Sequence, residues 1–272
     1  MSKIVLPNAC RETMTAHAEN IAELMPQHLG YLDAYAGGLA VLWPKNPEGI
    51  IEVVSDINCD LINFYRVLRD EKQFAKFQRQ VELTNFLREE WEDARRRLRE
   101  EPNANAVDRA VWFFVQNRMS LAGRMETFTG VTKTRIRGGM SPEVYAYLGC
   151  VEGLPAVHER LRRVLIENRP AVKLMLSYDV EGWVQYLDPP YPAETRSSPG
   201  VYGKFEMTDA AHQEFLETAN SLKNAKALIS SYPSKMYERA LRNWNRHTFE
   251  IANHSSGGKK KERKTEVVWT NY

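Results

Sequence analysis

The stretch Trp183-Val184-Gln185-Tyr186-Leu187-Asp188-Pro189-Pro190-Tyr191 decides the reading of this chain. Its first five residues form a short run rich in aromatic and branched side chains, the pattern of a buried strand. Two prolines then end it. Proline donates nothing to a strand ladder and fixes its own φ, so the pair makes a stiff turn that presents a carboxylate, a backbone carbonyl and an aromatic ring together. A carboxylate at the carboxyl end of a strand stands where open parallel sheets hold their ligands.

Outward from that point, the rest of a sheet is legible. Strand signals lie at Tyr31 to Tyr35, Ile50 to Asp56, Ala227 to Ser231, His247 to Ile251 and Glu266 to Thr270. Amphipathic stretches from Met14 to Met25, Asp209 to Leu222 and Ser234 to Asn243 read as helices between them. Strands alternating with helices predict a parallel sheet and an α/β fold. From about Asp60 to Asn168 the pattern becomes long helical segments rich in Arg, Glu and Leu, broken at Glu101-Pro102-Asn103-Ala104-Asn105 and again between Gly130 and Gly139. The expected organisation is one sheet domain built from 1–66 and 167–272, with a mostly helical insertion, 67–166, beside it as a second lobe over a cleft.

At 272 residues the chain can bury a substantial core, and 43% hydrophobic with 26% charged residues is ordinary for a globular protein. No apolar run reaches membrane-spanning length. Met1-Ser2-Lys3-Ile4-Val5-Leu6-Pro7 lacks the features of a secretory signal, so a cytoplasmic location is expected. Cys10, Cys59 and Cys150 are far apart and odd in number, which reads as reduced thiols. The net charge of +2 is weak support for a nucleic-acid partner, so local basic patches must carry that argument. His17, His28, His158, His212, His247 and His254 show neither metal-ligand spacing nor a nucleophile partner, and no metal is expected. The absence of a Pro-Cys dipeptide removes the thiolate that methylation at C5 of cytosine needs.

Three features fall at predicted strand ends. Ala36-Gly37-Gly38 is a tight turn where backbone can approach a ligand, although glycine pairs after strands are also common turns. Asp56 follows 18 residues beyond Gly38, close to the spacing of a carboxylate that holds ribose hydroxyls. Asp188 to Tyr191 is the third and the strongest; the bland alternative is a proline-rich loop with an incidental acid. The exocyclic amine of adenine suits this set. Its lone pair is delocalised into the ring, and two acceptors, Asp188 and the Pro189 carbonyl, would take its two N–H bonds and turn the lone pair toward an electrophile. Tyr191 would stack on the flipped base.

These residues resemble the D12 class of N6-adenine DNA methyltransferases, the class of bacterial and phage DNA adenine methylases. Tyr31 to Gly38 is similar to the family's cofactor motif, Val54-Ser55-Asp56-Ile57-Asn58 to its next segment, Ile166 to Ala171 to the stretch before its catalytic strand, and Tyr186 to Tyr191 to its catalytic motif. Tyr202-Gly203, Glu206 to Asp209, Ile229 to Tyr232 and Glu266 to Tyr272 are also similar to phage-type members. The resemblance implies a Rossmann-like sheet, S-adenosylmethionine as cofactor, double-stranded DNA as substrate, a bacterial or phage-infected cell as setting, and leaves open a restriction enzyme as partner. It implies cofactor contacts at Arg11, Asp33, Tyr35, Ala36, Gly37, Gly38, Asp56 and Asp188, and catalysis by Asp188, Pro189, Pro190 and Tyr191. Two departures stand out. Pro7-Asn8-Ala9-Cys10-Arg11-Glu12-Thr13 lacks the family's Gly-Gly-Lys segment, with Arg11 as its only basic residue, and Asp33-Ala34-Tyr35 stands where the family usually has Glu-Pro-Phe. A fold retained for DNA binding with lost or reduced transfer, and methylation at N4 of cytosine, are the competing readings.

For contact with DNA the helical module offers Asn117 to Arg124 and Thr132-Lys133-Thr134-Arg135-Ile136-Arg137-Gly138-Gly139, an exposed ribbon or loop by its alternation and paired glycines. Arg118, Arg124, Lys133, Arg135, Arg137 and Tyr202 are candidate DNA contacts, and Ser120 and Thr132 candidate phosphate donors. Arg95, Arg96, Arg97 and Arg99 lie among glutamates at helical spacing and read as intrahelical pairs. Gly257 to Lys264 reads equally as a charged hairpin tip or a phosphate contact.

Overall fold

A computed structural model describes residues 15–123, 125–196, 203–252 and 263–272. Along the chain these give α1 (Thr15–Leu24), β1 (Gly30–Asp33), β2 (Ile51–Ser55), α2 (Cys59–Arg69), α3 (Glu71–Leu83), α4 (Arg88–Glu100), α5 (Ala106–Arg118), α6 (Pro142–Glu152), α7 (Leu154–Leu161), β3 (Val164–Glu167), α8 (Ala171–Ser177), β4 (Trp183–Leu187), α9 (Asp209–Ser221), β5 (Lys226–Ser231), α10 (Lys235–Ala240), β6 (Asn245–Ala252) and β7 (Arg263–Thr270). The strands form one sheet in the order β3-β2-β1-β4-β5-β7-β6. The fold is mixed α/β and Rossmann-like. The order reverses between β1 and β4, which makes that pair the switch point where such sheets bind ligands.

Two compact units divide the described residues. One contains 15–36, 44–57 and the described part of 169–272; the other contains 37–43 and 58–168. α2 runs without interruption through residues 66 and 67 and belongs to the second unit.

Within the sheet unit, β1 pairs in parallel with β2 and β4, and β4 with β5, while β7 is antiparallel to β5 and β6. Gly30 opposes Trp183 in this register, and a Cβ at position 30 would lie 2.2 Å from the indole, so only glycine lets the ring cross β1. Side chains alternate between the two faces. Leu32, Val53, Leu187, Ala227, Ile229, Val267 and Trp269 face one side and pack with Leu174, Phe215, Leu216 and Tyr237 from the helices into one core. Truncating a ring such as the fully buried Phe215 to alanine would cost about 3 to 5 kcal/mol. The opposite face carries Tyr31, Asp33, Tyr186, Ser230 and Glu266, all buried and mostly polar. A sheet does not bury that set for stability alone, since each group needs a partner.

The helical unit is built by local rules. Asn58, Asp70, Asn105 and Ser141 each accept a backbone N–H at the start of a helix, and Pro142 follows Ser141 at the first helical position. Phe64 centres its core, with the rings of Tyr65, Phe77, Phe113 and Phe114 at 5.7 to 6.2 Å. Arg109 pairs with Asp60 at 2.5 Å and joins α5 to α2.

Three details differ from expectation. β1 stops at Asp33 because Ala34 and Tyr35 already turn. β3 is a strand in a region that reads as helical, because its four residues lie close behind Arg162 and Arg163 and are too few to declare a period. α10 ends at Ala240 rather than Asn243.

Candidate functional site

The carboxyl ends of β1, β2 and β4 carry Asp33, Asp56 and Asp188, all within the sheet unit. Asp33 pairs in register with Val54 and Tyr186, so Asp56 and Asp188 each lie two residues beyond its strand partners. Asp33 is 1% exposed, and its Oδ1 is buried without a hydrogen-bond partner while Oδ2 accepts from the Tyr31 hydroxyl at 3.4 Å. Burial first, and then the neighbouring charge of Asp56, push its carboxyl up to about 7, against the lowering effect of hydrogen bonds from the Tyr35 backbone and Tyr31. The turn is tied down by Ala36 N–H donating to the Ser55 carbonyl at 2.8 Å. Tyr35 sets its ring edge against Phe215 at 5.7 Å.

Asp188 keeps some exposure as a residue, but its Oδ1 is closed off from water and has no hydrogen-bond partner. Burial, then the charges of Glu266 and Asp33, hold its carboxyl well above the usual carboxylate range, against a hydrogen bond from Tyr191. A buried oxygen in this state lacks a donor, and an amine supplies one. Pro189 is buried and Pro190 half-buried behind it. Tyr191 is half-buried; its hydroxyl donates to Glu266 Oε1 at 3.2 Å and its ring meets that of Tyr232 at 4.7 Å and 67°.

Sequence reasoning assigned no role to Glu266, Ser230 or His17. Glu266 is 6% exposed on β7, Ser230 on β5 donates to its Oε1, and Nε2 of His17 on α1 lies 3.2 Å from the same oxygen. The available signal was a glutamate placed in period with Val268, directly before the apolar run Val267-Val268-Trp269.

The residues around Asp33 fit S-adenosylmethionine by their donor deficit. The buried Oδ1 of Asp33 without a partner suits a ligand that carries cationic and N–H groups, and the half-buried Asp56 suits ribose hydroxyls. Gly37 and Gly38 fall in the helical unit, where the Gly37 carbonyl accepts from the Tyr65 hydroxyl and the Gly38 carbonyl from Trp43 Nε1 at 3.0 Å. Gly37 has φ of 44°, which glycine adopts without strain. Arg11 lies outside the described residues.

In the helical unit, Arg137 N–H donates to the Met140 carbonyl at 2.9 Å and Met140 N–H to the Arg137 carbonyl at 3.1 Å, closing a two-residue turn over Gly138 and Gly139, both at positive φ. Lys133, Arg135 and Arg137 are exposed beside it, with the Arg137 guanidinium 5.0 Å from the Tyr145 ring centroid. Arg118 is half-buried at the end of α5. Ser120 is 5% exposed; its hydroxyl donates to the Gln116 carbonyl at 2.5 Å and accepts from Trp91 Nε1 at 2.8 Å, so its hydrogen-bonding capacity is used within the fold. Thr132 donates to Glu143 through both its N–H and its hydroxyl. Arg124, Tyr202 and most of the Gly257 to Lys264 segment lie outside the described residues. Arg96 and Arg97 both pair with Asp93, and Arg96 also with Glu100, within one helix. Among the described residues no cluster of metal-ligating side chains occurs, and no helix is long and apolar enough to cross a membrane.

No curated protein matches the sequence. Among solved structures, that of the SAM dependent methyltransferase from Agrobacterium tumefaciens is similar at TM-score 0.39 and 9% identity, over 98% of this chain. The chain spans 62% of the length of that structure. The sequence pattern of the D12 class N6 adenine-specific DNA methyltransferases matches residues 15–255, most of the chain and every element of the sheet up to β6, and the chain therefore belongs to that family.

Proposed function

We propose that this protein transfers a methyl group from S-adenosylmethionine to N6 of adenine in double-stranded DNA, with the target base flipped out of the duplex against Asp188-Pro189-Pro190-Tyr191. The observation that carries this reading is the partnerless buried Oδ1 of Asp188, at the end of the strand beside the switch point and directly before two prolines. Adenine N6 donates the hydrogen bond that this oxygen lacks. The Pro189 carbonyl takes the second N–H, so the nitrogen lone pair is freed from the ring and aimed at the donor. Tyr191 stacks on the base. The cofactor supplies an electrophilic methyl group when bound. Asp33, Tyr35, Ala36 and Asp56, with Gly37 and Gly38 as the continuation of the turn, hold it, and Lys133, Arg135, Arg137 and Arg118 contact DNA. By the same reading it works in the cytoplasm of a bacterial or phage-infected cell, the setting that the family resemblance implies.

The test is incubation of the purified protein with duplex DNA and S-adenosylmethionine, followed by digestion to nucleosides. N6-methyladenine, absent with Asp188→Ala, is the expected product. N4-methylcytosine in its place, or DNA binding with neither cofactor binding nor a methylated nucleoside, overturns the reading.

A further inference from the structure

We infer that Glu266 is a positioning residue for this reaction: a fixed negative charge behind Tyr191 that orients the Tyr191 phenol and strengthens Asp188 as the acceptor of the N6 proton. The inference rests on the methyl transfer proposed above and deepens it. The starting observation is the number of groups that converge on one oxygen. Glu266 Oε1 accepts from Ser230 on β5 and from Tyr191 in the loop after β4, and His17 of α1 stands 3.2 Å away. A 6% exposed carboxylate that accepts hydrogen bonds from two segments, with the His17 imidazole of a third beside it, is a locked charge. Its cross-strand neighbour in register is Phe249, whose ring also meets the His17 ring at 5.2 Å, so α1 and β6 close the cluster.

The chemistry needs such a charge. When N6 forms its new C–N bond, the bond between that methyl carbon and the donor's sulfonium sulfur breaks and its electron pair stays on sulfur, which leaves as a neutral thioether. The nitrogen becomes cationic, and it returns to neutrality by losing one of its two protons. Asp188 lies on that nitrogen, so the N–H bond breaks toward its carboxylate and an O–H bond forms there. A negative charge nearby makes the carboxylate a better proton acceptor. The titratable groups facing this point from each element are His17 on α1, Asp33 on β1, Tyr186 on β4, Tyr191 and Tyr232 in the following loops, and Glu266 itself. Of these, Glu266 is held below the usual carboxylate range: burial works to raise it, but His17 and the hydrogen bonds from Ser230 and Tyr191 outweigh that. Asp188 moves the other way, raised by burial and next by Glu266. The two carboxyls are thus set apart, one fixed as an anion and one ready for a proton. Because Tyr191 donates its one hydroxyl proton to Glu266, that contact fixes the ring against which the base lies.

The experiment measures single-turnover methylation of an adenine-containing duplex from pH 6 to pH 9, together with cofactor affinity, for wild type, Glu266→Gln, Glu266→Asp and Tyr191→Phe. Glu266→Gln removes the charge at almost constant shape. It should lower the rate on the order of tenfold or more, leave the cofactor dissociation constant within twofold, and move the acidic limb of the pH profile to lower pH, which a purely structural loss would not do. Glu266→Asp keeps the charge and should recover part of the rate. If Glu266→Gln does not fold, Tyr191→Phe carries the test, since it keeps the ring and removes only the hydroxyl that reaches Glu266; it too should lose rate with unchanged cofactor affinity. A Glu266→Gln rate within twofold of wild type, an unmoved limb, or a Tyr191→Phe rate within twofold overturns the inference while leaving the functional reading in place. A wild-type protein that does not methylate adenine overturns both.

Discussion

Asp33 and Asp188 stand at the carboxyl ends of neighbouring parallel strands, Asp188 two residues beyond the Tyr186 that pairs with Asp33, and each has a buried Oδ1 without a hydrogen-bond partner. A buried oxygen without a donor is costly, and a group that donates to it offsets that cost. The separation of roles between them follows from their neighbours: Asp33 answers to Tyr31, Tyr35 and Asp56, and Asp188 to Tyr191 and Glu266.

Asp188→Ala is expected to abolish methyl transfer while cofactor affinity stays within a few-fold, because in the proposed reaction the carboxylate acts chiefly on the target amine. Single-turnover assays beside equilibrium titration check it. Residual activity above about a tenth of wild type would remove Asp188 from the reaction.

Asp33 predicts a pH dependence whose sign is fixed. Its carboxyl is raised to about 7 in the fold against about 4 in an unfolded chain, so the folded state binds the extra proton. That contribution is complete below about pH 4 and is lost as pH rises through about 7, a change on the order of 4 kcal/mol. Without cofactor, Asp33→Asn should therefore melt above wild type at pH 8 and gain nothing at pH 4. Cofactor carries positive charge, so wild-type affinity should rise between pH 6 and pH 8 with release of a proton, and Asp33→Asn should flatten that slope. Calorimetry in two buffers of different ionisation enthalpy reads the proton directly. A pH-independent affinity in wild type would show that Asp33 stays protonated in the complex.

Asp56→Ala should weaken cofactor binding by something on the order of 1.5 to 3 kcal/mol, if its carboxylate holds both ribose hydroxyls, with little change in the rate at saturating cofactor. Equilibrium dialysis suffices, and an unchanged dissociation constant excludes Asp56 from the site.

The strands that end in the proposed site residues were the legible ones. β4 is bounded by a glycine before it and two prolines after it, so Trp183 to Leu187 could be read to the residue, and Asp188 with it. β3 was not legible, since four residues close behind two arginines give no period to read. The site divided in the same way. Asp33, Asp56 and Asp188 end strands and announce themselves by position, whereas Glu266, Ser230 and His17 matter through distances across 36 and 249 residues of chain, which no local pattern encodes. Ser120 shows the opposite failure: a polar residue beside arginines reads as a phosphate donor, but the Trp91 indole and the Gln116 carbonyl claim its hydroxyl.

The hairpin turn at Gly138 and Gly139 yields the last prediction, because it presents two arginines differently. Arg135 is exposed, while Arg137 is braced over the Tyr145 ring at 5.0 Å and begins the bridge to Met140. A braced guanidinium loses less conformational freedom on binding, so its removal should weaken DNA binding more than removal of Arg135. If each contacts one phosphate, the slope of log affinity against log salt should fall by about 0.9 per arginine removed. Arg137→Ala should also lose affinity for every sequence alike if its contact is to phosphate, but should relax preference at one position, by about 1 to 3 kcal/mol, if it reads a guanine edge. Titration of matched duplexes at several salt concentrations separates these outcomes. Tyr145→Leu provides the control for bracing: it should reduce affinity while leaving the salt slope intact, because it removes the support and keeps the charge. If Arg135→Ala and Arg137→Ala both bind DNA like wild type, with unchanged slopes, the hairpin is a solvated basic loop and the DNA contact lies elsewhere on the chain.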